Sequence, residues 1–104
     1  MTLSIYRDVN YDFEHNEHVR YTLFVDGQYL MHYVIESLSD KNEKEIILML
    51  RRKVLTQPYL NELLNPNKYK YMPQGELVHE EKDTEIIKEL KVKLKIKRIE
   101  EDFQ

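Results

Sequence analysis

The stretch that decides the fold is Arg20–Ser37, RYTLFVDGQYLMHYVIES. Two runs rich in β-branched and aromatic residues are joined by Asp26-Gly27. Both of these residues tolerate the positive φ angles that a type I′ turn requires. The stretch therefore predicts a β-hairpin with strands over 18–26 and 28–36. An uninterrupted register outward from the turn pairs Val25 with Gln28, Leu23 with Leu30, Tyr21 with His32, and Val19 with Val34.

The two faces of this hairpin differ in composition, because successive side chains of a strand point to opposite sides. The Val/Leu face is the better candidate for the core, and it carries His32 as a packed, hydrogen-bonded histidine. The other face carries the aromatic set Arg20, Phe24, Tyr29 and Tyr33. Tyrosine and arginine are favoured at protein–protein contacts. We expect this aromatic face either to be covered by the 66–85 segment or to bind a partner.

Helices and a further strand are predicted on either side of the hairpin. Alternation predicts a first strand over about residues 2–9. Apolar residues at helical spacing predict a main helix over 41–56, with Ser39 and Asp40 as candidate N-caps. Pro58 fits the first turn of a short second helix over 58–64.

The C-terminal segment is ambiguous. In LKVKLKIKR, Leu90–Arg98, apolar residues alternate strictly with lysines, which favours a strand over 88–98. The helix preference of lysine, leucine and glutamate favours the alternative, although a helix would scatter the apolar residues to both sides. We give more weight to periodicity and expect a strand.

Together these elements predict an α+β domain, a single one over residues 1–104. Its expected core is a small antiparallel or mixed sheet of about four strands, with the main helix packed on one face. Such a two-layer arrangement leaves the other sheet face open.

Composition excludes several kinds of chemistry. The chain has no cysteine, so disulfides and thiolate sites are absent, and its two glycines cannot form a phosphate-binding loop. His15 and His18 lie in an acidic loop without a fixed third ligand, so we expect no metal site. We therefore expect no enzyme activity and no cofactor.

No apolar run is long enough to span a bilayer, and we expect a soluble, cytoplasmic protein.

The distribution of charge along the chain bears on the kind of partner it binds, and its residue usage bears on the kind of organism that encodes it. Residues 1–50 contain 4 basic and 9 acidic side chains, whereas residues 51–104 contain 12 and 10. The chain lacks alanine and tryptophan and is rich in lysine, isoleucine, asparagine and tyrosine. Such usage is typical of AT-rich coding sequences, as in low-GC bacteria, their phages and mobile elements.

The leading functional hypothesis is a small non-enzymatic protein that binds another protein. Carboxylates in the N-terminal half would occupy a basic, nucleic-acid-reading groove on the partner and block it. They are Asp8, Asp12, Glu14, Glu17 and Asp26. In size and charge, though in no sequence motif, the chain resembles small phage proteins that inhibit host defence or replication machinery, including anti-CRISPR proteins.

The alternative hypothesis is nucleic-acid binding by the C-terminal strand. Its outward row would be a straight positive rail that follows a phosphate backbone, with tyrosines stacking on bases. The row consists of Lys91, Lys93, Lys95 and Lys97, with Arg98 beside its end. Lysines on a strand also prevent edge-to-edge aggregation. The same strand is a candidate surface for homo-oligomerisation.

Overall fold

The computed structural model describes residues 1–36, 42–66 and 71–102. The elements in chain order are β1 (Leu3–Tyr11), β2 (Glu17–Val25), β3 (Gln28–Ile35), α1 (Glu43–Lys53), α2 (Gln57–Leu64), β4 (Glu76–Glu81) and α3 (Glu85–Asp102). The four strands of the described ranges form one antiparallel sheet in the order β3-β2-β1-β4. The predicted α+β class is confirmed.

The three helices pack on one face of this sheet. Alternate strand residues are fully buried there, among them Leu3, Ile5, Val19 and Leu23. They share one core with Ile46 and Leu50 of α1, Leu60 of α2, and Ile87 and Leu90 of α3. Burial of each large apolar side chain stabilises the fold by about 1.5–3 kcal/mol before the cost of ordering the chain is counted. The helix layer is thus held by apolar contacts with one sheet face.

The predicted hairpin turn is confirmed, but the predicted register is wrong beyond it. Asp26 and Gly27 have φ angles of 50° and 79°, and Val25 pairs with Gln28. Phe24 then pairs with Tyr29 and Leu23 with Met31, so Leu30 is an extra, bulged residue. Leu30 is buried in the core, as expected, but the bulge moves every later β3 side chain to the face opposite the predicted one. Tyr21 therefore pairs with Tyr33, and Val19 with Ile35.

Helices α1 and α2 lie close to their predicted positions. Helix α1 begins after Asn42, whose side-chain oxygen accepts a 2.9 Å hydrogen bond from the backbone N–H of Lys44. Asn42 is thus the N-cap, and the predicted caps Ser39 and Asp40 lie outside the described residues. Helix α1 ends at Lys53, three residues before the predicted end, and α2 has Pro58 in its first turn.

The predicted C-terminal strand is wrong, because residues 85–102 form α3. Ile87, Leu90 and Leu94 recur at helical spacing and are buried, which is enough to anchor the helix. The other apolar residues, Val92 and Ile96 among them, remain about half exposed. The fourth strand is β4, which precedes α3 and pairs with β1. Among the described residues, no helix has both the length and the apolar composition that crossing a membrane requires.

A buried ion pair joins β4 to α1. Glu81 is 6% exposed and accepts hydrogen bonds of 2.8 and 2.7 Å from Nε and Nη2 of Arg51, with His79 and Thr84 as further partners. Burial opposes ionisation of Glu81, but the hydrogen bonds outweigh it and lower the pKa from 4.5 to about 2. Glu81 is therefore a charged structural link at neutral pH.

Candidate functional site: a cleft on the open sheet face

The sheet face that carries no helix among the described residues presents a row of polar and aromatic side chains. Phe24 and Tyr29 lie opposite each other on β2 and β3, as do Thr22 and His32 one step along the ladder. Phe24 and Thr22 share a face because strand side chains alternate with a period of two, and the bulge at Leu30 brings His32 to the same face as Tyr29. Arg20 continues the row on β2. The sequence of β2 therefore places an arginine, a threonine and a phenylalanine in line.

The segment 71–74 lies against this row and turns it into a cleft. The rings of Tyr29 and Tyr71 have centroids 5.0 Å apart, and Nη2 of Arg20 is 3.4 Å from Oε1 of Gln74. Gly75, at φ +89°, permits the close approach of this segment to the sheet. A Cβ atom at this position would lie 2.1 Å from the carbonyl oxygen of Arg7. Only glycine fits here.

The cleft has a volume of about 380 Å³. The sheet contributes Arg20, Thr22, Phe24, Tyr29 and His32, and the 71–74 segment contributes Tyr71, Met72 and Gln74. Phe24 is buried, whereas Tyr71 and Met72 are 55% and 83% exposed. The cleft therefore has a buried aromatic base and an exposed apolar rim.

The aromatic side chains at the base are held by one another. Phe24 packs edge-to-face against Tyr6, with centroids 5.6 Å apart, and against Tyr29, with centroids 6.1 Å apart. Such pairs contribute about 0.5–1.5 kcal/mol beyond their buried area. Burial, followed by the neighbouring Tyr71, raises the pKa of Tyr29, so its hydroxyl stays protonated and hydrogen-bonds with Nδ1 of His32. These rings are fixed before any ligand arrives.

Arg20 supplies the positive charge of the cleft. Its Nη2 makes two long contacts of 3.4 Å, to Oδ2 of Asp8 and to Gln74. Its Nε is buried and has no hydrogen-bond partner among the described residues. The buried Nε is not accessible to a ligand, but the side chain is 41% exposed and its Nη2 contacts are long, so the guanidinium retains capacity for a further hydrogen-bond acceptor.

The predicted aromatic face is divided between the two sides of the sheet. Arg20, Phe24 and Tyr29 lie together in the cleft, but Tyr33 lies on the core side, where it packs against the buried cluster. The bulge at Leu30 is the cause, and it also brings His32, expected in the core, to the exposed face. Sequence reasoning missed the contribution of His32, since no local pattern indicates the bulge. It expected the 66–85 segment as one possible cover of this face, and the 71–74 part of that segment does line the cleft, but the individual contributions of Met72 and Gln74 were not predicted.

The predicted acidic residues do not form one surface. Asp12, Glu14 and Glu17 lie at the tip between β1 and β2, whereas Asp26 lies at the opposite end of the ladder. Eight residue steps, about 27 Å, separate the two ends. Asp8 lies between them, beside Arg20, and Asp26 binds the N-terminus by accepting a 2.8 Å hydrogen bond from the Thr2 N–H.

The β1–β2 tip extends beyond the pairing of β2 with β3, which ends at Val19, and we name residues 10–18 the acidic finger. Asp12 organises the finger by accepting hydrogen bonds of 2.9 Å from the backbone N–H groups of Glu14 and Asn16. A hydrogen bond with His18, followed by that from Asn16, lowers the pKa of Asp12 to about 2. Phe13 at the tip is fully exposed.

The acidic finger contains two histidines, of which His18 lies close to a carboxylate. Nε2 of His18 is 3.0 Å from Asp12, and His15 is exposed with a φ of 64°. Across the described ranges, no three histidine, aspartate or glutamate side chains come together as a metal ion would require.

The predicted lysine rail does not exist, because its residues lie on a helix. At 100° per residue, Lys91, Lys95 and Arg98 fall on one side of α3, and Lys93 and Lys97 on another. Lys97 donates a 2.7 Å hydrogen bond to Gln57, and Lys93 lies 3.9 Å from Glu89. These cations therefore cannot follow a phosphate backbone as a straight row.

The chain matches no family model, and comparison with curated proteins and with solved structures finds no match either.

Proposed function

We propose that this chain is a non-enzymatic binding protein that attaches to a partner protein through the sheet-face cleft. The observation that carries the proposal is the cleft of about 380 Å³ that Phe24, Tyr29 and Tyr71 line together with Arg20. Aromatic residues, methionine and arginine are the residue types enriched where proteins meet. A concave, preorganised site of this composition is suited to receive an anchoring side chain.

The dimensions and charge of the cleft favour one apolar or aromatic side chain of a partner, accompanied by an acceptor. The volume lies at the small end of the range for ligand sites, about 300–1,000 Å³. The rings present edges and faces for apolar contact, and the Arg20 guanidinium attracts a carboxylate or carbonyl oxygen. The expected recognition element is thus a peptide segment with a large apolar residue next to an acidic one.

The charge around the cleft favours a protein over a nucleic acid as its ligand. Among the described residues, Arg20 is the single lysine or arginine that lines the cleft, and Asp8 lies beside it. The formal net charge of the chain is −3. Nucleic-acid affinity depends on several phosphate contacts from basic side chains, and the described part of this face offers one guanidinium.

Affinity capture from the natural host with matched variants tests the proposal. We expect Tyr29→Ser and Tyr71→Ser each to reduce the captured partner at least tenfold, since loss of an aromatic anchor costs about 2 kcal/mol or more. The control is Leu48→Ser, which removes an apolar side chain that is 50% exposed on α1. The control should capture as much partner as the wild type. Undiminished capture by both tyrosine variants, with native circular dichroism, would refute the proposal.

The acidic finger supports a second candidate function, in which it enters a basic groove and imitates nucleic acid as an inhibitor would. The specific observation is the fully exposed Phe13 on an ordered turn, flanked by the carboxylates of Glu14 and Glu17. A projecting ring with negative neighbours fits an apolar pocket that is bordered by basic side chains.

Charge reversal at Glu14 and Glu17, rather than at Asp12, tests this second function, because Asp12 organises the turn. We expect Glu14→Lys with Glu17→Lys to abolish binding and Glu45→Lys, an equivalent change per site on α1, to leave it intact. Binding of the wild type should also weaken steeply between about 50 and 500 mM salt. Salt-independent binding would count against the finger.

A further inference from the structure

Helix α3 carries two separate apolar lines. Ile87, Leu90 and Leu94 form the buried line in the core. Val92, Ile96 and Ile99 form the outer line, and their side chains are 56%, 51% and 48% exposed. Steps of four and then three residues keep the outer line within about 60° on the helix surface, roughly opposite the buried line. The outer line is thus directed away from the core, and its last residue, Ile99, borders a groove that Met1 also lines.

Charged residues flank the outer line in an ordered way. In heptad terms, Val92 and Ile99 occupy d positions and Ile96 an a position. Lys95 and Asp102 then lie on one flank, at g positions, and Lys93 and Glu100 on the other, at e positions. On both flanks the positive charge comes first along the helix and the negative charge one heptad later.

We propose that the outer line of α3 is a self-association surface on which a second copy of the chain packs its own α3 in antiparallel orientation. Antiparallel packing seats Ile96 of each copy against Ile99 of the other. It also brings Lys95 of each copy opposite Asp102 of the other, and Lys93 opposite Glu100. A twofold axis repeats each contact, so four opposite-charge pairs flank the apolar seam.

The same flanking charges make parallel packing of two α3 helices less favourable than antiparallel packing. In a parallel pair each g residue meets the e residue five positions later on the other helix. Lys95 would then meet Glu100, but Lys88 would meet Lys93, which places like charges together twice. The antiparallel pair has opposite charges at each of the corresponding flank positions. The flanking charges are thus complementary between two copies of α3, and they favour the antiparallel orientation.

The contact is short, which sets the expected strength. From Val92 to the end of α3 at Asp102 the helix is about 16 Å long. An interface of this length is smaller than the standard size for stable complexes. We expect a dissociation constant on the order of 100 µM at low salt, and weaker association at high salt because the charge pairs are exposed.

Sedimentation velocity of the full chain, from about 10 µM to 1 mM in about 50 mM salt, tests the proposal. We expect the wild type to convert from monomer to dimer across this range, and Ile96→Asn to raise the dissociation constant at least tenfold. Val34→Asn is the matched control, because Val34 is 50% exposed but lies on the sheet. The control should associate as the wild type does.

Two charge variants test the orientation. Lys95→Glu alone and Asp102→Lys alone should each weaken self-association several-fold, because each variant places like charges opposite one another across the seam. An equimolar mixture of the two should restore association, since each variant supplies the charge that the other lacks. A wild type that stays monomeric at about 1 mM, a mixture that fails to associate, or loss of association in Val34→Asn would each overturn the proposal.

Discussion

Gly75 is the residue that allows the 71–74 segment to reach the sheet. Its φ of +89° is strained for any other residue, and a Cβ would lie 2.1 Å from backbone oxygen of Arg7. We predict that Gly75→Ala lowers the free energy of unfolding by about 2–3 kcal/mol. It should also displace Tyr71 from Tyr29 and so reduce partner capture. Urea denaturation measures the first effect.

Gly27 provides the control for that substitution. Its φ is +79°, but a Cβ there would meet no atom within 4 Å. Gly27→Ala should therefore carry only the backbone strain, about 1 kcal/mol, with the cleft unchanged. Equal destabilisation by the two substitutions would show that the contact with Arg7 does not matter.

Glu81 makes the stability of the fold sensitive to acid. Its pKa is about 2 in the folded chain and 4.5 ordinarily, so the ionised form favours folding. The stabilisation is complete above about pH 4.5 and is lost as the pH falls towards 2. We predict that Glu81→Gln lowers the free energy of unfolding by about 3 kcal/mol at pH 7, because Arg51 loses its buried partner.

The same variant should lose less stability than the wild type when the pH falls from 4.5 to 2.5. Urea denaturation at several pH values measures both effects. The neighbouring Glu80 is the control, since it is exposed and its ion pair with Lys82, at 3.8 Å, is a weak surface contact. Glu80→Gln should behave as the wild type does. If Glu81→Gln and the wild type lost stability equally at low pH, protonation of Glu81 would not be the cause of the acid sensitivity.

The sequence predicts the turn of the β2–β3 hairpin but not the bulge that follows it. The pair Asp26-Gly27 predicts its turn because few residue pairs tolerate two positive φ angles. The bulge at Leu30 has no such marker, since Leu30 fits either face of a strand. Leu30 is buried with or without the bulge, so its burial gives no sign of the register shift, and the uninterrupted register puts Tyr33 and His32 on the wrong faces.

Among the elements, α1 depends on a cap that lies next to the undescribed residues 37–41. Asn42 accepts from the N–H of Lys44 at 2.9 Å. We predict that Asn42→Ala lowers the free energy of unfolding by about 1 kcal/mol, whereas Asn42→Asp retains the wild-type value. Thermal unfolding followed by circular dichroism measures both. A loss of stability in Asn42→Asp as large as that in Asn42→Ala would argue against a capping role.

Helix α3 shows where periodicity alone misleads. Alternating lysines predict a strand only if all the intervening apolar residues are buried on one side. The core needs only Ile87, Leu90 and Leu94, and leaves Val92, Ile96 and Ile99 half exposed. With burial satisfied by three residues, the helix preference of lysine, leucine and glutamate decides the element. The positions of the predicted acidic residues also depend on tertiary structure, because the pairing of β1 with β2 places them at opposite ends of the ladder.

For the molecule as a whole, the cleft and the outer line of α3 lie on different layers. The cleft is on the sheet, and the outer line is on the helix layer and points away from the core. A pair of chains joined through α3 would therefore present two clefts. Bivalent attachment of this kind raises the apparent affinity for a partner displayed in many copies without any new contact.

Site-specific photo-cross-linking in the natural host shows whether the partner protein occupies the cleft. A photo-reactive phenylalanine derivative would replace Tyr71 at the rim of the cleft or, in a second variant, the equally exposed Leu48 on α1. We expect a discrete cross-linked partner from position 71, lost when Tyr29→Ser is added, and none from position 48. A partner that cross-links from position 48 but not from position 71 would contradict this expectation.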